Sequence, residues 1–289
     1  MKRYLVPYDA SDNSTSALKY ALRFARSIPG IVSVVYIADE RALSNPVFDM
    51  TVMALQAVGT LGDLIPREQA KLELKARLIS RGEDKIHELT ASELFHDAID
   101  DELEISTSVA VANPPLYLAE KSREFDVIFM GLYGEMKAFK GGMWGGTCEA
   151  VIRKGESPVL IAATEYTEFK SITVGFDNRP RSRQALAWAG IIGSSMDIPV
   201  NVLTVDGDAR KVGEIVEESK AILDAYDTEY KNFTESKRAP EFIIGYLEKN
   251  TDTLACLGAF GDQPVREFFL GSVAEAVVRI EKVPVMLFK

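Results

Sequence analysis

Two aspartates close short apolar runs. Asp9 follows Tyr4-Leu5-Val6-Pro7-Tyr8, and Asp177 follows Ile172-Thr173-Val174-Gly175-Phe176. A carboxylate at the end of a buried strand can accept hydrogen bonds from a ribose hydroxyl or an adenine amino group. Glycines recur in the same way. Gly131-Leu132-Tyr133-Gly134 follows the apolar run 126–130, and Gly258-Ala259-Phe260-Gly261 follows 253–257. The second of these continues as Gly258-x2-Gly261-x9-Gly271-Ser272 and opens a helix. Glycine lets backbone N–H groups approach phosphate oxygens closely. The helix start adds partial positive charge, and Ser272 adds a hydroxyl.

Other chemistry is thinner. His87 and His96 are the two histidines and lack metal-ligand spacing, so no metal site is expected. Cys148 lies near a helix start that would lower a thiol pKa, but a small packed residue is the preferred reading. No Ser/His/Asp arrangement and no P-loop lysine is present, so no catalytic residue is assigned. Nucleotide hydrolysis would rest on positioning and a bound metal, which makes the chain at most a slow ATPase.

These residues need elements to hold them, and the elements occur twice. After each strand-end Asp come Ser16-Ala17-Leu18 and Gln184-Ala185-Leu186, both continuing as helices. Each half closes on an apolar strand, 158–163 and 283–288. The first half reads as strand 4–8, helix 13–28, strand 31–37, an insert, strand 103–110, helix 115–123, strand 126–130, helix 147–154 and strand 158–163. The second half reads as strand 171–176, helix 181–194, strand 199–205, helix 210–225, strand 228–234, helix 240–249, strand 253–258, helix 272–281 and strand 283–288. Pro115 and Pro240 stand where the first turn of a helix tolerates proline. Continuous apolar strands such as 127–130 suit a parallel sheet buried on both faces. The pattern predicts two tandem doubly wound α/β domains, 1–165 and 170–289.

The first half carries roughly 41 extra residues between its second and third strands, within about 40–98. Their first part is apolar, including Val47, Phe48, Met50 and Val52. A helix then begins near Pro66, with Leu72, Ile79 and Ile86 at seven-residue steps on one face. The insert either covers core or serves as a lid, partner surface or dimer contact.

The 289 residues are 47% apolar and 26% charged, which is soluble globular composition. No apolar run reaches the ~18 residues needed to span a membrane. The start, Met1-Lys2-Arg3-Tyr4-Leu5, has no signal-peptide core, and two cysteines make no disulfide framework. A cytoplasmic protein is expected. The net charge of −10 argues against nucleic-acid and anionic-membrane partners. Ile86 to Glu120 contains no Lys or Arg, and Glu88, Glu93, Asp97, Asp100, Asp101 and Glu102 crowd it. That stretch reads as a solvated helix end and loop, or as a repulsive or partner-selecting surface.

On the duplicated frame and its glycine run the chain resembles the universal stress protein family in its tandem two-domain form. The resemblance implies a five-stranded parallel sheet of order 3-2-1-4-5 in each half, flanked by helices, with domains paired through their last strands. It implies ATP, or ADP or AMP, as ligand, with Mg²⁺ as an accompanying ion. Asp177 and Val205 would contact the nucleoside, and Gly258, Gly261, Gly271, Ser272 and Val273 would surround the phosphates. A weaker second site would use Asp9, Ile37, Gly131, Gly134, Gly146 and Thr147.

Two departures from the pattern bear on this. Asp262 stands where the family commonly has a basic residue, and it repels phosphate unless Mg²⁺ or Arg266 offsets it. In the first half, counting back from Pro158 aligns Gly145 with Gly271, so that Gly146 replaces the serine and Thr147 offers a hydroxyl one place later. At most one nucleotide per chain, in the second half, is therefore expected, although Lys137 and Lys140 favour the first. The leading function is a regulatory nucleotide-binding stress-response protein with an unidentified protein partner and an intrachain domain pair. The alternative is a nucleotide-free scaffold, or a carrier of an apolar ligand or protein, acting through the insert. Further dimerisation, if any, would use the insert.

Overall fold

The computed structural model describes residues 1–44, 67–134, 145–236, 238–259 and 272–289. The first half contains β1 (Lys2–Pro7), α1 (Asp12–Ser27), β2 (Gly30–Asp39), α2 (Arg67–Thr90), α3 (Glu93–Asp100), β3 (Ile105–Ala112), α4 (Pro114–Lys121), β4 (Val127–Gly131), α5 (Gly146–Lys154) and β5 (Val159–Ala162). The second contains β6 (Ser171–Gly175), α6 (Pro180–Met196), β7 (Val200–Val205), α7 (Ala209–Leu223), β8 (Tyr230–Glu235), α8 (Ala239–Lys249), β9 (Thr253–Gly258), α9 (Ser272–Val278) and β10 (Val285–Phe288).

All ten strands form one sheet of order β3-β2-β1-β4-β5-β10-β9-β6-β7-β8. Each half has the 3-2-1-4-5 order, and within each half every pairing is parallel. The halves fuse where β10 runs antiparallel to β5, with Met286 opposite Leu160. A closing strand with a free edge is an open template for pairing, and here each closing strand covers the other.

The strands at the centre are apolar on both faces because helices cover both. One core layer joins α1, α3 and α6 to Val6, Phe129, Val174 and Phe288. The other joins α4, α5, α8 and α9 to Ile128, Ile161, Ala255 and Leu287. Tyr4, fully buried, packs edge-on against Phe129 with centroids 5.6 Å apart, and its hydroxyl donates to Ile28 O at 2.9 Å. Burial first, then the charge of Asp126, drives its phenol pKa well above the usual range.

The segment between the halves is stitched to α1. Ser16 Oγ donates to Ala163 O at 2.8 Å, Tyr20 Oη to Thr167 O at 3.1 Å, and Arg23 Nη2 to Phe169 O at 2.7 Å. Across the seam Tyr133 Oη donates to Glu281 Oε1 at 3.1 Å. Lys289 Nζ donates to Val151 O at 2.6 Å and Gly155 O at 3.0 Å, so a residue of the second half caps α5 of the first. Burial pulls that ammonium down to about 8, against the pull of Cys148 and Glu156.

The insert differs from its expected form in one respect. A helix does begin near Pro66, but a second helix, α3, follows it and was not foreseen. Ser92 caps α3 by accepting from Phe95 N at 3.4 Å, and Phe95 and Ala98 enter the core. α2 stands where α7 stands in the second half, between the second and third strands. Of the expected face, Ile79 and Ile86 border β3, while Leu72 is exposed. The apolar part of the insert, including Val47, Phe48, Met50 and Val52, lies outside the described residues.

Candidate functional site

Both strand-end aspartates sit in the same turn. The residue after each adopts a left-handed backbone, Ala10 at φ 65° and Asn178 at φ 62°. Asparagine tolerates this, whereas alanine pays roughly 1–2 kcal/mol for it. Asp9 Oδ1 accepts from Ser11 N at 3.0 Å and Ser11 Oγ at 2.6 Å. Asp177 Oδ1 accepts from Arg179 N at 3.2 Å and Ser182 Oγ at 2.6 Å. In each half a helix serine also accepts from the Asp N–H at 3.4 Å, Ser14 from Asp9 and Ser182 from Asp177. One carboxylate oxygen of each aspartate is thus held by the turn. The sequence signal for this turn is Asp-x4-Ser, present in both halves as Asp9–Ser14 and Asp177–Ser182.

The partner positions align as well. Tyr8 N donates to Val35 O and Phe176 N to Leu203 O, each at 2.9 Å. Two residues further on, Ile37 and Val205 therefore hold the same place beside their aspartates. Gly131 ends β4 opposite Ala162, and Gly258 ends β9 opposite Phe288. Gly134 approaches the first turn closely, since a Cβ there would lie 2.7 Å from Asp9 Oδ2. Gly146 opens α5, Thr147 follows, and Gly145 N donates to Leu132 O at 3.1 Å. α9 opens at Ser272, followed by Val273. Gly261 and Gly271 lie outside the described residues, as do Asp262, Arg266, Lys137 and Lys140.

The two glycine ends differ in tightness. A Cβ on Gly131 would lie 2.6 Å from Asn13 Cβ and 3.0 Å from Asn13 C, in the backbone of α1. On Gly258 the nearest atom is Arg181 Cβ, at 3.1 Å. Gly131→Ala is expected to cost about 1–3 kcal/mol, because helix backbone must shift, and Gly258→Ala clearly less. Urea unfolding of the two variants checks the order, and equal costs would contradict it.

Arg179 and Arg181 lie at the start of α6, with Arg179 Nη1 3.6 Å from Asp177 Oδ2. Asp177 is half exposed at 52% of its side chain, which leaves it open to a ligand. Cys148 is fully buried, and burial pushes its thiol up to about 12. This agrees with the preferred reading of a small packed residue, because desolvation of a thiolate outweighs a partial helix charge. His87 lies on α2 and His96 on α3. Among the described residues no group of His, Cys, Asp or Glu could hold a metal ion. Among them, too, no helix is long and apolar enough to cross a membrane.

The chain is thus a tandem, doubly wound α/β protein with an aspartate and a glycine at matching strand ends of its two halves. The model of the universal stress protein family matches residues 1–163 and 168–289, and the chain belongs to that family. It is 24% identical over 295 residues to universal stress protein Slr1230 of Synechocystis, covering 100% of both chains. A crystal structure of a universal stress protein from Archaeoglobus fulgidus matches 100% of this chain and 96% of its own, at 19% identity and a TM-score of 0.72. Another from Archaeoglobus fulgidus, solved in complex with dAMP, matches 43% of this chain and 100% of its own at 20% identity, with a TM-score of 0.35.

Proposed function

We propose that the chain is a regulatory, stress-response nucleotide-binding protein that takes ATP, ADP or AMP at the strand ends of its second half. The observation that carries this reading is the Asp177 turn. It holds one carboxylate oxygen by two donors, sets the second 3.6 Å from Arg179 Nη1 at the start of α6, and leaves the side chain half exposed. That second oxygen keeps lone pairs for a ribose hydroxyl or the adenine amino group, and Val205 contributes apolar contact to the nucleoside. Gly258, Gly261, Gly271, Ser272 and Val273 line the phosphates, where N–H groups and the α9 start offset their charge. Mg²⁺ or Arg266 offsets the charge of Asp262. The absence of a P-loop lysine from the sequence makes turnover slow at most. The units are 1–165 and 170–289. Two free, buried cysteines agree with a reducing, cytoplasmic setting.

Equilibrium dialysis of the full chain with ATP, ADP and AMP tests the site. One nucleotide per chain is expected. Asp177→Ala should weaken it about ten- to a hundredfold, the equivalent of one charge-assisted hydrogen bond of roughly 1.5–3 kcal/mol. Asp9→Ala should leave it in place. No binding of any of the three, or two equal sites, would overturn the proposal.

A further inference from the structure

We propose that two copies of this chain pair through the edge of β3, which no other strand among the described residues covers, antiparallel, with α2 of each copy alongside the β3 of the other. The sheet has two edges, and they differ. β8 carries Lys231 and Glu235 within Tyr230–Glu235, the kind of charge that blunts an edge. β3 reads Ile-Ser-Thr-Ser-Val-Ala-Val-Ala and carries none. Glu104 O accepts from Val32 N at 2.9 Å, which fixes which groups face inward. The N–H and C=O of one strand residue point the same way and alternate along the strand. Ser106, Ser108 and Ala110 therefore bond β2, and Ile105, Thr107, Val109 and Val111 turn their backbone groups outward.

That edge borders an open groove of about 510 Å³, lined by Ile79, Glu83 and Ile86 of α2 and by Thr107, Ser108 and Val109 of β3. Thr107 and Ser108 point to opposite faces of the sheet, so the groove wraps the strand edge. Apart from Met1, the large apolar side chains left exposed among the described residues all lie in the first half, on α2, α3 and α4. Leu72, 66% exposed, is on α2; Ile99, 52%, is on α3; Leu116, 49%, begins α4 just past the end of β3.

Charge selects the occupant. The early part of α2 holds Lys71, Lys75 and Arg77, with Glu73 the one acid among residues 69–81. The chain returning to β3 holds Glu93, Asp97, Asp100 and Glu104, with no Lys or Arg among residues 93–104. α2 must carry the chain back from the end of β2 to the start of β3, so its basic end lies toward the end of β3. The acidic run lies at the start of β3. Parallel edges would set acid against acid. A two-fold axis through the middle of β3 sets the acidic end of each copy against the basic end of the other, and Ile99 toward Leu72. A two-fold interface is self-complementary by definition, and this surface meets that condition.

Sedimentation velocity of the full chain at low salt tests the pairing. A dimer is expected. Thr107→Pro removes an outward N–H without touching the β2 ladder and should leave a monomer with unchanged circular dichroism. Should that variant misfold, the charges decide. Lys75→Glu with Arg77→Glu should weaken the dimer about tenfold. Adding Asp97→Lys and Asp100→Lys to the same chain should restore it. A wild type that stays monomeric, or a dimer that the charge reversal leaves unchanged, would overturn the proposal.

Discussion

Met286→Lys is expected to destabilise the chain by about 3–5 kcal/mol, the scale of a buried charge left without a partner. Met286 is fully buried in β10, between Cys256 on the parallel side and Leu160 on the antiparallel side. All three side chains are closed off from water, so no route lets the ammonium reach solvent. The cost has a pH signature. Burial depresses the ammonium pKa in the folded state, whereas the unfolded chain keeps about 10.4. At pH 7 both states are protonated and the full cost is felt. As pH rises above the folded-state value toward about 10.4, the folded protein sheds the proton first and stability recovers. Met286→Leu nearly conserves volume and should cost less than about 1.5 kcal/mol at any pH. Urea midpoints at pH 7 and pH 10 measure both effects. A Met286→Lys protein as stable as wild type at pH 7 would falsify the dry seam between β5 and β10.

Why the seam could be anticipated at all lies in residues 158–163 and 283–288. They are apolar at successive positions, not alternate ones, so both faces had to be covered, and each strand closes its half with an edge to fill. The strand ends were equally legible, since a repeated Asp and a repeated Gly mark the same point of two copies of one frame. What escaped has physical reasons. The left-handed turns at Ala10 and Asn178 have no glycine to announce them, because the carboxylate and backbone N–H groups hold the turn instead. Helix α3 was hidden by its own acids. Glu93, Asp97 and Asp100 read as a solvated stretch, while Phe95 and Ala98, three apart on one face, carry the helix into the core. Cys148 was placed correctly beside a helix start, but proximity to a dipole says nothing about solvent. Its full burial decides the thiol's behaviour. The fusion into one ten-stranded sheet follows from edge pairing, but only coordinates show that the register runs Met286 to Leu160.

The largest loss from a single truncation outside the sheet is expected at Phe169, in the segment joining the halves. Its ring is fully buried. It stacks on Tyr20 with centroids 6.2 Å apart and 23° between planes, and meets Phe24 at 6.4 Å. The Arg23 guanidinium lies 4.0 Å over its face, and Arg23 Nη2 donates to Phe169 O at 2.7 Å. Arg23 Nη1 is buried without a hydrogen-bond partner among the described residues, so the π face is the favourable neighbour left to it. Phe169→Ala removes the ring, leaves a cavity against α1 and exposes that guanidinium nitrogen to an apolar void. The truncation should cost about 3–5 kcal/mol. Phe169→Leu keeps most of the volume and loses the π face, so the gap between the two variants separates packing from the cation–π contact. The contact itself is worth roughly 0.5–2 kcal/mol and should appear as coupling in a double-mutant cycle with Arg23→Met. Phe169 touches α1 of the first half and lies beside β6 of the second, so the loss should move the whole unfolding transition. Circular dichroism in urea follows this directly. A second, separate transition in the wild type, or a Phe169→Ala midpoint within error of the wild type, would show that the joint is not part of one cooperative core.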